Sequence, residues 1–281
     1  MYLIKKAGAA LMALCLASFF FFGNISAQET QISVDVPIIM YHRLMPAAKP
    51  HTYTITPEMF EQDLVYLQKC GYHTVTMTDL INYVYNGIPL NEKSVMISFD
   101  DGDESVYKYA YPLLKKYNMK AVAAIIGGIT DQYTEESKNG GYHPHMTWSE
   151  VREIYDSGYV EIQNHTYNLH VNGAIGLLKK QGEDDGAYEK RLKADLDKFQ
   201  ERCAEMIGFK TTTVAYPFGC MNKGSEKIIK ELGYQATLSS CSGVNHILRC
   251  DPNCLYRMFR NNRELGIDRG SFFNKLGIKE E

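Results

Sequence analysis

The sequence predicts an α/β fold, a distorted, incomplete (β/α) barrel of about seven parallel strands. Two observations predict it. Beyond the N-terminal segment, short apolar runs alternate with helical patterns. No linker or low-complexity stretch interrupts that alternation, so one domain is expected after the leader. A doubly wound open sheet shows the same alternation and is the alternative.

The elements follow in order. "VPIIMYH" (36–42) reads as a buried strand. "TPEMFEQDLVYLQKCGY" reads as a helix with Thr56 as N-cap, Pro57 in the first position and Phe60, Leu64 and Leu67 at helical spacing. "HTVTM" is a short strand, and "TDLINYVYNG" a helix closed by Gly87. "SVMISF" is a strand, "SVYKYAYPLLKKYNM" a helix with Pro112 inside its pattern, and "KAVAAIIGG" a strand. The polar, Gly-containing segment 131–146 is expected to be an exposed loop. "TWSEVREIYDSGY" opens with a Thr147–Glu150 capping box. "YVEIQNH" is a strand, and a long helix runs from about Asp184 to Met206. "TTTVAYPFG", "GSEKIIKELGY" and "QATLSS" then read as strand, helix and strand.

The N-terminus stands apart. Lys5 and Lys6 precede an apolar run to about Phe22 and then small residues, the layout of a secretory signal. Residues 1–27 are expected to be a signal peptide cut after Ala27, and 28–281 the catalytic domain; an uncleaved anchor is the alternative. Either way the domain is expected to be secreted or at the cell surface. Six cysteines remain beyond Cys15, and a local bridge among Cys241, Cys250 and Cys254 is plausible in an oxidising compartment. A net charge of -3 and the lack of a Lys/Arg stripe remove nucleic acid as a partner. The sequence does not set the oligomeric state.

The strand ends collect the chemistry. His42, the pair Asp100 and Asp101, then His165, Thr166 and His170, then Tyr216, Pro217, Phe218 and Gly219 each close an expected strand. One carboxylate and two histidines commonly hold a divalent cation with positions left open to water. His165 and His170 are five apart and would diverge on a helix, so they must share a loop that folds back. His51, His73, His143, His145 and His246 read as ordinary surface or core histidines. Successive side chains of an extended segment point opposite ways, so Asp100 and Asp101 face together only if the chain turns, which Gly102 permits. One carboxylate could then hold a cation and the other take a proton. Standing alone, the same triplet would read as a turn capping a helix.

"SFDDG", "NHTYNLH" and "AYPFG", in that order, resemble the polysaccharide deacetylases of carbohydrate esterase family 4, the NodB homology domain. The resemblance covers roughly 36–240. It implies Asp100 as general base, Asp101, His165 and His170 as metal ligands, and Thr166 within the second motif. It also implies Pro217 and Phe218 lining the sugar groove, with the Phe218 backbone N–H as oxyanion donor. There are departures. The histidines are five rather than four apart, Ala215 replaces a frequent arginine, and no histidine follows His246. The N-terminal Tyr-His strand instead resembles the poly-N-acetylglucosamine deacetylases of permuted barrel order, which implies His42 as general acid.

The expected activity is hydrolysis of N-acetyl groups on an amino-sugar polymer, peptidoglycan or poly-N-acetylglucosamine. Zinc is the default cation, with cobalt, nickel or iron suiting the same ligands. Tyr41, Tyr167 and Tyr216 could stack on sugar rings, and Arg260 could orient Asp100 or bind a saccharide hydroxyl. An O-acetyl (xylan) esterase, a carbohydrate-binding pseudoenzyme and a small-amide amidase are the rivals.

Overall fold

A computed structural model describes residues 32–47, 53–170 and 175–280. The expected signal segment, 1–27, lies outside the described residues. Seven strands form the main sheet: β1 (Ser33–Tyr41), β2 (Ser94–Phe99), β3 (Ala121–Ile125), β4 (Val160–Asn164), β5 (Thr213–Ala215), β6 (Ala236–Leu238) and β7 (Val244–Leu248). Their spatial order is β7-β1-β2-β3-β4-β5-β6. From β1 to β6 each strand pairs in parallel with the next, as a barrel requires. β7, which the sequence reading missed, pairs antiparallel with the first half of β1.

The barrel is incomplete because, among the described residues, no full strand joins β6 to β1. An irregular C-terminal segment bridges the gap. Met258 pairs with Leu238 of β6, and Asn261–Asn262 pair in parallel with Ile39 and Met40 of β1. This stretch carries Arg260 into the middle of the sheet.

Strand alternation sorts the side chains into two layers. Ile39, Tyr41, Ile97, Phe99, Ala123, Ile125 and Ile162 pack outward against helices α1 (Pro57–Lys69), α3 (Tyr111–Tyr117), α5 (Trp148–Asp156) and α6 (Asp185–Ile207). Val36, Ile38, Met96, Val122, Ala124, Ala215 and Leu238 form the opposite layer, which α2 (Met77–Asn86) covers through Met77, Leu80 and Val84. His42, Asp100 and His165 share the phase of this second layer.

Helix ends follow the sequence signals. Thr56 caps α1, Gly87 closes α2 at φ 68, and Thr147 and Glu150 form the capping box of α5. Pro112 sits in the first turn of α3, after a π-helical turn at Val106–Ala110. One expectation is overturned: α4 (Gly127–Ser137) occupies the first half of the segment expected to be a loop. The Gly127-Gly128 pair that reads as a breaker serves close packing instead. A Cβ on Gly127 would lie 2.8 Å from the Tyr167 ring, and one on Gly128 2.2 Å from the Asn168 side chain. The proposed bridge among the last cysteines is also absent. Cys241, Cys250 and Cys254 carry free thiols, and Cys254 turns its sulfur to the Leu248 backbone.

Asp131 of α4 ties three elements together. Its carboxylate accepts from Trp148 Nε1 at 2.6 Å, Tyr167 OH at 2.8 Å and Arg202 Nη2 at 2.6 Å. Burial alone would raise this carboxyl, but Arg202, Tyr167 and Trp148 together hold it below the ordinary value. The stabilisation is therefore present above the unfolded-state pKa of about 3.9 and is lost as pH falls through the lower folded value. Asp131→Ala should cost about 1.5–3 kcal/mol in urea melts at pH 7, and that difference should shrink towards about pH 3. A pH-independent difference would show that the charge is not what stabilises the site.

Candidate active site and metal centre

The ends of β1, β2, β4 and β5 converge. Tyr41 pairs with Phe99 and Ile125 with Asn164 in register, so the residues that follow emerge at one rim. Asp100 continues β2, its N–H donating to Tyr41 O at 3.0 Å, and its side chain is almost wholly buried. Arg260 grips it from both sides, with Nη1 to Oδ1 at 2.6 Å and Nη2 to Oδ2 at 2.8 Å. Arg260 is 1% exposed and spends Nε on Ser239 O at 2.7 Å. Burial pushes the Asp100 carboxyl up, but Arg260 and the nearby histidines outweigh it and hold the pKa below the ordinary range. Asp100 is thus an ionised carboxylate with a fixed orientation.

Asp101 is turned away from Asp100 by a left-handed backbone, φ 72, with Gly102 following at φ 78. Its Oδ1 lies 3.4 Å from His165 Nε2 and 3.3 Å from His170 Nε2. Burial opposes ionisation of Asp101, and the hydrogen bond and charge of His165 reverse that and hold its pKa far down. The three ligand atoms lie within 4.8 Å of one another. This donor set, one carboxylate oxygen and two imidazole nitrogens, suits a divalent cation. His165 supports the fit, because its Nδ1 bonds Ala215 O at 2.9 Å and so turns Nε2 towards Asp101.

The loop between the histidines is held in place. Asp195 of α6 accepts from the N–H groups of Tyr167 (2.8 Å) and Asn168 (2.7 Å). Asn164 Oδ1 accepts from Thr166 N–H at 2.6 Å, and Thr166 adopts φ 73. The five-residue spacing is thereby taken up by a strained turn that returns His170 to Asp101.

His42 lies at the end of β1 beside this group. Its Nδ1 is buried, with no hydrogen-bond partner among the described residues. Burial lowers its pKa more than Asp100 and Asp101 raise it. Phe218 caps the other side at φ 57, its ring 4.3 Å from that of His170 and 44% exposed.

Six residues expected at the substrate lie buried or are committed to other partners. Tyr41 is 1% exposed and faces the helix layer, where its ring packs on Phe60 and Phe99 and its hydroxyl donates to Asp63. Tyr216 lies in a separate buried cluster with Val214, Leu192 and Ile229. Each is one residue out of phase with the inner layer, and a shift of one reverses the face. Thr166 is fully buried, its hydroxyl accepting from Leu169 N–H. Arg260 takes the first of its two expected roles: it orients Asp100, bonds Ser239 O, and has no exposed face left for a sugar. Pro217 is buried behind Phe218. Tyr167 is committed to Asp131 through its hydroxyl.

Sequence reasoning missed Tyr53, Arg43, Asp103 and His145, which line a cavity of about 210 Å³ with His42 and Asp101. Asp103 meets Arg43 at a separation of 60 positions and His145 meets Asp101 at 44, contacts that no local window contains. A second group, Glu104, His143 and Glu150, is accounted for by the α5 capping box and by the His143 Nδ1 bond to His145 O.

Comparison with known proteins is consistent with this arrangement. The profile of the polysaccharide deacetylase family matches residues 87–237. The chain belongs to the polysaccharide deacetylase family. Among polysaccharide deacetylase relatives, the poly-β-1,6-N-acetyl-D-glucosamine N-deacetylase of Staphylococcus aureus (strain N315) is 30% identical over 184 residues, which is 64% of this chain and 59% of that one. The chain therefore matches less than two thirds of that relative's length. A de-N-acetylase from Aggregatibacter actinomycetemcomitans superposes with a TM-score of 0.73 at 26% identity, covering 85% of this chain and 99% of that one. IcaB from Ammonifex degensii shares the fold, with a TM-score of 0.69 at 24% identity over 88% and 98% of the two chains.

Asp195→Ala should release the Tyr167–Asn168 turn and weaken the affinity of the Asp101–His165–His170 group for a divalent cation by about 10–100-fold in calorimetric titration, with the melting curve still cooperative. Unchanged affinity would show that the turn holds His170 without Asp195.

Proposed function

We propose that this chain is a metal-dependent hydrolase that removes N-acetyl groups from an amino-sugar polymer, poly-N-acetylglucosamine or peptidoglycan. The observation that carries the reading is the division of labour between adjacent aspartates. Asp100 is ionised and fixed by Arg260, while Asp101 faces His165 and His170. A turn that merely capped a helix would need neither a buried bidentate arginine nor two histidines. The staphylococcal and Aggregatibacter relatives supply the substrate class, as deacetylases acting on N-acetyl groups.

In this reading Asp101, His165 and His170 hold the cation. When bound, it supplies Lewis-acid polarisation of the acetamide carbonyl and makes water at the site more acidic. The chain's own groups do the rest. Asp100 receives the proton from the attacking water. The tetrahedral oxyanion faces the Phe218 N–H, whose backbone the positive φ re-aims. One proton has left water and one must reach the departing nitrogen, and His42 delivers it. Burial lowers the His42 pKa, so the proton it delivers is the one Asp100 took from water, relayed to the ring before the C–N bond breaks, and Asp100 is left ionised again. Acetate and the free amine leave. Residues 1–27 act as the secretory signal and 28–281 as the catalytic domain, which places the polymer outside the cytoplasm. Among the described residues no helix is long and apolar enough to cross a membrane.

Acetate release should be measured on β-1,6-linked N-acetylglucosamine oligomers, peptidoglycan fragments and O-acetylated xylan. The expected result is release from one of the N-acetylated substrates, loss on chelation and recovery with zinc. Release from xylan alone would move the chain to the ester hydrolases, and no release with any metal would sink the proposal. Asp100→Asn should keep its zinc and lose about 10²–10⁴-fold in turnover. Full activity in that variant would remove Asp100 as the base.

A further inference from the structure

We propose that the cavity walled by Tyr53, Arg43, Asp103 and His145 is the subsite that seats one pyranose ring of the substrate beside the reacting acetamide, with Tyr53 as its stacking platform. The inference rests on the deacetylase reading and supplies what that reading lacks. Of the three tyrosines expected to meet sugar, Tyr41 and Tyr216 point into helix layers and Tyr167 is bonded to Asp131.

The cavity has the right size and wall chemistry. At about 210 Å³ it falls below the ~300–1,000 Å³ of drug-sized ligand sites, so it has room for one ring rather than a chain of them. Tyr53 forms its apolar wall. The side chain is 57% exposed, and its ring centroid lies 5.0 Å from that of His42 at an interplanar angle of 41°. One side of the ring rests against the site histidine and the rest is open. The residue adopts φ 51, a strained conformation for a bulky side chain, and Thr54–Ile55 pair with Arg43–Leu44 immediately after it. The strand pair therefore holds the tyrosine in this position.

The remaining wall is polar and fixed. Asp103 is 7% exposed and uses both oxygens: Oδ2 accepts from Arg43 Nε at 2.6 Å, and Oδ1 from Ser105 N–H at 3.0 Å. Among the described residues only Nε of Arg43 is bonded, which leaves its Nη groups as donors at the cavity. His145 bonds Asp101 O through Nδ1 at 3.2 Å, which makes Nε2 an acceptor, and its ring stacks on Tyr133 with centroids 5.7 Å apart. A donor, an acceptor and an aromatic face around a small cavity are what a pyranose requires, since it has a C–H face and a rim of hydroxyls. His145 and Asp101 share a hydrogen bond, so the sugar wall and the metal-ligand loop are braced together.

Steady-state kinetics on N-acetylglucosamine oligomers test the assignment, with thermal melts as the folding control. Tyr53→Ala should raise KM by about tenfold with a smaller change in kcat, and Tyr53→Phe should recover most of the loss, because stacking needs the ring and not the hydroxyl. Arg43→Met should raise KM in the same direction. A Tyr53→Ala enzyme with KM within about twofold of the parent would overturn the subsite, as would a Tyr53→Phe enzyme as damaged as the alanine variant. The two readings fail separately. A parent that releases no acetate from any amino-sugar oligomer removes the deacetylase function and the subsite with it. A parent that does so, paired with an unaffected Tyr53→Ala, removes the subsite alone.

Discussion

The rest of the site depends on one buried ion pair, Asp100 with Arg260. Their side chains are 5% and 1% exposed, and two hydrogen bonds join them. Either charge alone in that interior would be strongly destabilising, at about 3–5 kcal/mol for a broken buried pair. Together they keep a carboxylate ionised where burial would otherwise protonate it. The same contact reduces the basicity of Asp100, so orientation and charge are secured at some cost in proton affinity. The pair also has an architectural role. Asp100 ends β2, and Arg260 comes from the segment that spans the opening between β6 and β1.

Strained backbone marks the same rim. Asp101, Thr166 and Phe218 all adopt positive φ, and each follows directly or closely on a strand end. Non-glycine residues reach that region only where surrounding structure compels them. The restraints here are specific: Asn164 and Asp195 on the histidine loop, the two glycines of α4 beneath it, and the packing of Phe218 on His170. Each strained turn redirects a group that a regular strand would send to the wrong face.

Much of this was legible in the sequence because it depends on local periodicity. The alternation of strand and helix gave the barrel, and strand ends marked His42, Asp100, Asp101, His165 and His170, which the fold brings to one rim. The errors have equally local causes. Tyr41 and Tyr216 were placed in the groove although alternation sends them outward once His42 and Ala215 face inward. The α4 helix was hidden because Gly127 and Gly128 look like breakers, and only the distant Tyr167 and Asn168 explain them. β7 pairs with a strand some two hundred residues earlier, a contact no window of sequence contains. Arg260 is among the expected site residues, but its commitment to Asp100 is a matter of tertiary geometry. Asp195, Tyr53 and Asp103 could not be recognised for the same reason.

The closing segment has a consequence for how the protein is made. Synthesis runs from the N-terminus, so β1 to β6 emerge and can pair before residues 257–263 exist. Until then the half-barrel holds an uncompensated carboxylate and an open seam beside β1. Residues 257–263 then seal the seam and neutralise the charge in one step. A chain that stopped before residue 257 would keep both the open seam and the unpaired carboxylate.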